Sequence, residues 1–219
     1  MRKSFRAWGE LLTDKNLNDW LKKYPIEKSG GDKTVGIVMA GNIPMVGFHD
    51  FLCAYILGMS AKIKMSSDDE VKSKTEFVPV LKDFDAVIAT GSNNTAKYFE
   101  QYFGKYPHII RKGRTSVAVL SGKESEKELE SLAEDIFAYY GLGCRNVTKI
   151  YVPKGYDLNN VFKALFPYQF VADNNKYANN YDYHKAIYLM EQYEMIENGF
   201  ILLREDKNIY SPIGTLNYE

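Results

Sequence analysis

Residues 34–40 read Thr-Val-Gly-Ile-Val-Met-Ala, a short apolar run set between Gly30-Gly31-Asp32 and Gly41-Asn42-Ile43-Pro44. A run of that length, rich in Val and Ile and punctuated by glycine and proline, predicts a strand buried on both faces. Such a strand needs cover above and below, so it belongs in a parallel sheet with helices on each side. The neighbouring segments repeat the pattern. Residues 48–57 predict an apolar helix stopped by Gly58, residues 60–65 a second strand, 86–90 a third and 115–120 a fourth, with helical 96–103 between the last two. Trp8, Leu11, Leu12, Leu17, Trp20 and Leu21 have patchy helical spacing, which predicts one or two lead-in helices ending near Pro25. Strands alternating with helices make the chain α/β.

The clearest helix follows the fourth strand. Ser125-Glu126-Lys127-Glu128 fits a capping box, in which the Ser hydroxyl and Glu carboxylate satisfy free amide donors at a helix start. Leu129, Leu132, Ala133, Ile136, Phe137 and Tyr140 then line one apolar face. Gly141 or Gly143 stops the helix, residues 147–152 predict a strand, and between them lies Gly141-Leu142-Gly143-Cys144-Arg145-Asn146. A thiol in a glycine-flanked turn beside an arginine is accessible and biased toward thiolate, the nucleophilic form. Spacing alone leaves open a second reading of Cys144 as a small buried apolar residue.

Composition removes several alternatives. The chain has 219 residues, 28 Lys plus Arg against 28 Asp plus Glu, and no long single-sign block, so nothing points to nucleic acid or an anionic membrane. No run of 18 apolar residues exists, and Arg6 and Glu10 interrupt the N-terminal apolar stretch, so neither a membrane span nor a secretory leader is expected and the chain reads as cytoplasmic. Cys53 and Cys144 are too few for a disulfide scaffold, and neither has zinc-ligand spacing, so no metal is expected.

Two other turns follow strands, where α/β proteins place ligands. Asn42 follows the first strand, and its side-chain amide suits an oxyanion; the alternative is an Asn filling a left-handed turn position. Gly91-Ser92-Asn93-Asn94-Thr95 precedes a helix, so its amides suit a phosphate; ordinary N-capping is the alternative. Cys53 reads as packing, and His49, His108 and His184 have neither triad nor metal spacing. Lys105, Lys112 and Arg114 form either a solvated basic turn or a contact to a phosphate. The Asn- and Tyr-rich stretch 168–183 is expected to be a poorly packed surface loop.

Taken together, Val35-Gly36-Ile37-Val38-Met39-Ala40-Gly41-Asn42-Ile43-Pro44, Lys62-Ile63-Lys64-Met65-Ser66-Ser67-Asp68-Asp69, Ala89-Thr90-Gly91-Ser92-Asn93-Asn94-Thr95-Ala96, Tyr106-Pro107-His108-Ile109-Ile110-Arg111-Lys112 and the Cys144 turn resemble the LuxC-type acyl-CoA reductases. That family is a branch of the aldehyde dehydrogenase superfamily. The resemblance, from about Trp8 to the C-terminus, implies a Rossmann-type cofactor domain at 1–110 and an α/β catalytic thiol domain at 111–219. It implies Cys144 as nucleophile, Asn42 as oxyanion donor, and Lys64, Gly91, Ser92 and Asn208 as NADPH contacts. It places Arg111 where the superfamily has the Glu that activates water, so the hydrolytic base is absent and the acyl-enzyme is left for hydride. Arg111 and Arg145 are further expected to favour the thiolate.

The implied activity is reduction of long-chain acyl-CoA, or an acyl group on protein, to fatty aldehyde. In the luminous-bacterial form of the family the enzyme works with an acyl-protein synthetase and an acyl transferase, and the chain could also form a homo-oligomer. Two departures bear on completeness. Thirteen residues separate Asp69 from Asp83, where relatives carry a further helix and strand, and the chain stops at Glu219, soon after Asn208-Ile209-Tyr210-Ser211-Pro212-Ile213. An incomplete catalytic domain is therefore expected, which keeps two alternatives open: a non-catalytic nucleotide-binding or assembly module, and a Cys-dependent acyl transferase.

Overall fold

The computed structural model describes residues 2–26, 30–65 and 76–219. Met1–Gly113 and Arg114–Glu219 form two compact units, each built on a five-stranded sheet.

In the first unit the strands are β1 (Thr34–Val38), β2 (Ser60–Lys64), β3 (Glu76–Phe77), β4 (Ala86–Thr90) and β5 (His108–Arg111), in the order β3-β2-β1-β4-β5. Every pairing is parallel. The central strand β1 buries Val35 and Ile37, as its apolar composition requires, and packs them with Ala54 and Ile63. Helices α1 (Arg2–Leu11) and α2 (Asp14–Leu21) lead in, α3 (Phe48–Ile56) follows β1, and α4 (Asn93–Phe103) follows β4. From β1 the chain moves outward to β2 and β3, then crosses to β4 and β5. The order therefore reverses between β1 and β4, and the crevice at their carboxyl ends is where open α/β sheets bind ligands.

Residues 66–75 lie outside the described residues, and with them the Ser66-Ser67-Asp68-Asp69 part of one motif; so does Lys28-Ser29 in the loop before β1. The interval between Asp69 and Asp83, expected to lack a strand, does supply β3, which pairs Glu76 with Lys62 and Phe77 with Ile63.

The second unit has β6 (Ser116–Val119), β7 (Val147–Tyr151), β8 (Ile196–Glu197), β9 (Leu202–Glu205) and β10 (Thr215–Tyr218), in the order β6-β7-β10-β9-β8. Only β8 runs antiparallel. Helices α5 (Glu126–Phe137), α6 (Asn159–Leu165) and α7 (Asn175–Met190) cover it. The capping box forms as read: Ser125 accepts from the Glu128 amide while the Glu128 carboxylate accepts from the Ser125 amide. Leu129, Leu132, Ala133, Ile136 and Phe137 of α5 are buried against Val147, Ile150, Val161, Leu165, Leu203 and Leu216. Fully burying each Leu, Ile, Val or Phe contributes about 1.5–3 kcal/mol.

Two expectations fail here. Helix α5 ends at Phe137, so Tyr140 does not extend its apolar face; Tyr139 and Tyr140 adopt left-handed backbone conformations, φ 54° and 59°, and leave the helix. The 168–183 stretch is not a loop. It forms a tight 3-10 turn, Phe166–Asp173, and the first half of α7, which buries Tyr177, Tyr181 and Tyr188. Those three tyrosines lie at i, i+4 and i+11, a helical stripe hidden in a polar composition.

Candidate active site

The carboxyl edge of the first unit's sheet carries the turns singled out by sequence. After β1, Gly41-Asn42-Ile43 bends, and Met45, not Asn42, takes the left-handed conformation (φ 59°). Asn42 is exposed on this bend, so the turn-filling alternative does not account for it. Lys64 closes β2, in register with Val38 and half-buried. After β4, Gly91 donates its amide to Arg111 O (3.1 Å), and Ser92 caps α4, its hydroxyl oxygen accepting from the Thr95 amide (3.1 Å). The N-capping alternative is thus realised. Gly113 donates to the Asn93 side chain (3.1 Å), tying the end of the unit to the same helix start.

Arg111 ends β5, and its guanidinium donates to both carboxylate oxygens of Asp50, at 2.6 and 2.5 Å. Asp50 sits in the first turn of α3 with a side chain only 4% exposed, against 30% for Arg111. Sequence reading missed this pair. The signal was a lone carboxylate within an otherwise apolar helix, which must find a cation to be buried there. The pair also corrects the expectation that Arg111 carries a free charge to support a thiolate: its charge is met within its own unit. Cys53, one turn along α3, has its Sγ 3.9 Å from either His49 ring nitrogen, and burial, with the Asp50 charge second, pushes its thiol pKa up. Lys112 pairs with Glu100 at 2.9 Å, both well exposed, and behaves as a solvated basic turn.

In the second unit, Cys144 occupies the turn between α5 and β7 and is half-buried. The Asn146 amide donates to Gly143 O (3.2 Å), which closes a β-turn with Cys144 and Arg145 as its central residues. Arg145 is exposed. A cleft of about 60 Å³ beside this turn is lined by Gly141, Gly143, Asn146, Tyr177, Ser211 and Gly214 among others. It has room for about two waters. Asn208, implied as a ribose contact, is exposed in the segment between β9 and β10; its amide donates to the Asp206 carboxylate (2.8 Å) and its carbonyl accepts from Asn217 (3.0 Å).

No family model matches the chain, and no curated protein does. Solved structures do. Over 85% of this chain and 51% of theirs, it is similar to a P. syringae indole-3-acetaldehyde dehydrogenase (AldA) mutant in complex with NAD+ and IAA (TM-score 0.65, 13% identity) and to the aldehyde dehydrogenase KauB from Pseudomonas aeruginosa (TM-score 0.66, 13% identity). A Mycobacterium tuberculosis aldehyde dehydrogenase complexed with NAD+ matches over 84% of this chain (TM-score 0.60, 13% identity). The fold is that of the aldehyde dehydrogenases. The chain spans about half the length of these structures. Among the described residues, no helix is long and apolar enough to cross a membrane.

Proposed function

We propose that this chain provides the nucleotide-binding and thiol-bearing parts of a reductase that converts long-chain acyl-CoA to fatty aldehyde with NADPH. The observation that carries it is Cys144 presented in a hydrogen-bonded turn between a buried helix end and a buried strand, on an aldehyde dehydrogenase fold. The residues at the sheet's carboxyl edge suit a dinucleotide: an ammonium at the end of β2, and helical amides with Gly91 at the end of β4, on either side of β1. Lys64 would meet a ribose, Gly91 and Ser92 the phosphates, and Asn208 the second ribose. When bound, NADPH supplies hydride.

The chain's own residues do the rest. Cys144 thiolate attacks the acyl-CoA carbonyl, and the resemblance assigns the developing oxyanion to Asn42 and a backbone amide. The tetrahedral adduct collapses, the bond to CoA sulfur breaks, and CoA leaves as a thiolate that takes its proton from solvent. Hydride supplied by the bound cofactor would reduce the Cys144 thioester, and collapse of the resulting thiohemiacetal would release aldehyde and return the thiolate. Water must not compete. The sequence places Arg111 where a hydrolytic carboxylate would stand, and Asp50, the carboxylate beside it, is neutralised by two charge-assisted bonds. Both oxygens of that carboxylate are engaged by Arg111, an arrangement that suits reduction over hydrolysis.

Intact-mass measurement after adding palmitoyl-CoA, with and without NADPH, tests this. Acylation that NADPH reverses, and that is absent in Cys144→Ala, supports the reductase. Acylation that NADPH leaves in place points to acyl transfer, and no acylation points to a binding or assembly module; either outcome sinks the reading.

A further inference from the structure

We propose that Asn146 is the positioning residue for Cys144: its side chain ties the end of α5 to the turn that presents the thiol. This rests on Cys144 being the reacting group. An α-helix leaves its last carbonyls without intrahelical partners. At the end of α5 one side chain from beyond the turn meets them, for Asn146 Nδ2 donates to Asp135 O, Ile136 O and Ala138 O at 2.9, 3.0 and 3.0 Å. Two N–H groups serve three acceptors, so one is shared.

The same residue's backbone holds the other side. Its amide closes the β-turn onto Gly143, and its carbonyl accepts from the Ser116 amide (3.1 Å) and the Thr115 hydroxyl (3.3 Å), at the start of β6. Asn146 is 7% exposed, so a lost bond would not be replaced readily by water.

Three further features fit a turn held against resistance. Tyr139, Tyr140 and Gly141 all have positive φ (54°, 59° and 71°), and for the two tyrosines that conformation costs roughly 1–2 kcal/mol per residue. The Leu142 amide bonds back to Tyr139 O (3.1 Å) across this stretch. A Cβ on residue 143 would fall 2.4 Å from Asn146 Oδ1, so glycine there is what lets the amide lie against the turn. The turn around Cys144 is thus fixed by these backbone bonds together with the Asn146 side chain rather than by local propensity.

The test compares the wild-type chain with Asn146→Asp, which keeps the shape but removes the donors, and Gly143→Ala, which displaces the amide from the other side. The readouts are hydrogen exchange at the Leu142 and Asn146 amides, iodoacetamide alkylation of Cys144 with Cys53 as internal reference, and acylation of Cys144 by palmitoyl-CoA. Both variants are expected to exchange those amides and alkylate Cys144 about threefold faster or more, with Cys53 unchanged, while acylation falls by about tenfold or more, the scale on which small misplacements act. Unchanged exchange, or faster exchange with unchanged thiol chemistry, would overturn the proposal. So would loss of the fold in both variants, with the two cysteines exposed together, because the role would then be structural only. Absence of acylation in the wild-type chain defeats the reductase reading, and the exchange and alkylation arms still decide whether Asn146 holds the turn.

Discussion

Arg111→Met and Asp50→Ala each remove one half of the same ion pair, yet they should not cost the same. Methionine at 111 keeps most of the stem's packing but leaves a carboxylate whose side chain is 4% exposed with only the longer contact to the exposed His49 ring, 3.7 Å away, among the described residues. An unpaired buried charge of that kind destabilises by about 3–5 kcal/mol. Alanine at 50 strands a guanidinium that is 30% exposed, so water recovers part of its hydration, and the loss is nearer the 1.5–3 kcal/mol expected for hydrogen bonds to a charged group. The first variant should therefore be less stable than the second by about 1–2 kcal/mol. The double variant should cost less than the sum of the two, because neither charge is then left alone. Urea unfolding followed by far-UV circular dichroism, extrapolated linearly, resolves differences of this size. Equal losses, a reversed order, or strict additivity would show that the 2.5–2.6 Å contacts do not govern this corner of the sheet.

Gly214→Ala should destabilise the chain by about 1–3 kcal/mol from backbone conformation alone, since φ is +80°, and by more because the new Cβ would lie 2.9 Å from Tyr181 Cα; urea unfolding reads this, and a loss under 1 kcal/mol would refute it. Burial lowers the His184 pKa from 6.5. A depressed folded-state value makes its contribution present above 6.5 and lost as pH falls through the folded value, so stability should drop on acidification from neutrality. His184→Gln should flatten that part of the profile, and an unchanged slope would count against it.

Much of this was legible because it is local. The glycine-bounded run that became β1, the capping box of α5 and its apolar stripe through Phe137 are decided by residues within one turn or one strand of each other. What failed depended on partners elsewhere. The Asn and Tyr of 168–183 look like surface loop until Tyr177 has Phe200 O to donate to (3.0 Å) and Leu202 gives Tyr181 and Tyr188 a core to enter. Strand β5 has exposed His108 and Ile109, so its apolar signal is diluted, and pairing with β4 identifies it. The Asp50–Arg111 pair joins residues 61 apart, beyond any local pattern.

That pair alters the argument about the thiol. Sequence alone put two arginines at the service of Cys144. One of them is spent on Asp50, and the other, Arg145, is exposed, where water and salt screen its field. Charge is then a weak means of preparing this cysteine, and what is left is placement: a half-buried thiol at the centre of a closed turn, anchored to a helix end and a strand start through Asn146. If the reductase reading holds, substitutions that loosen the turn should weaken acylation more than neutralising Arg145 does. Comparing Asn146→Asp with Arg145→Gln in the palmitoyl-CoA acylation assay decides between them, and a larger loss in Arg145→Gln would return the argument to electrostatics.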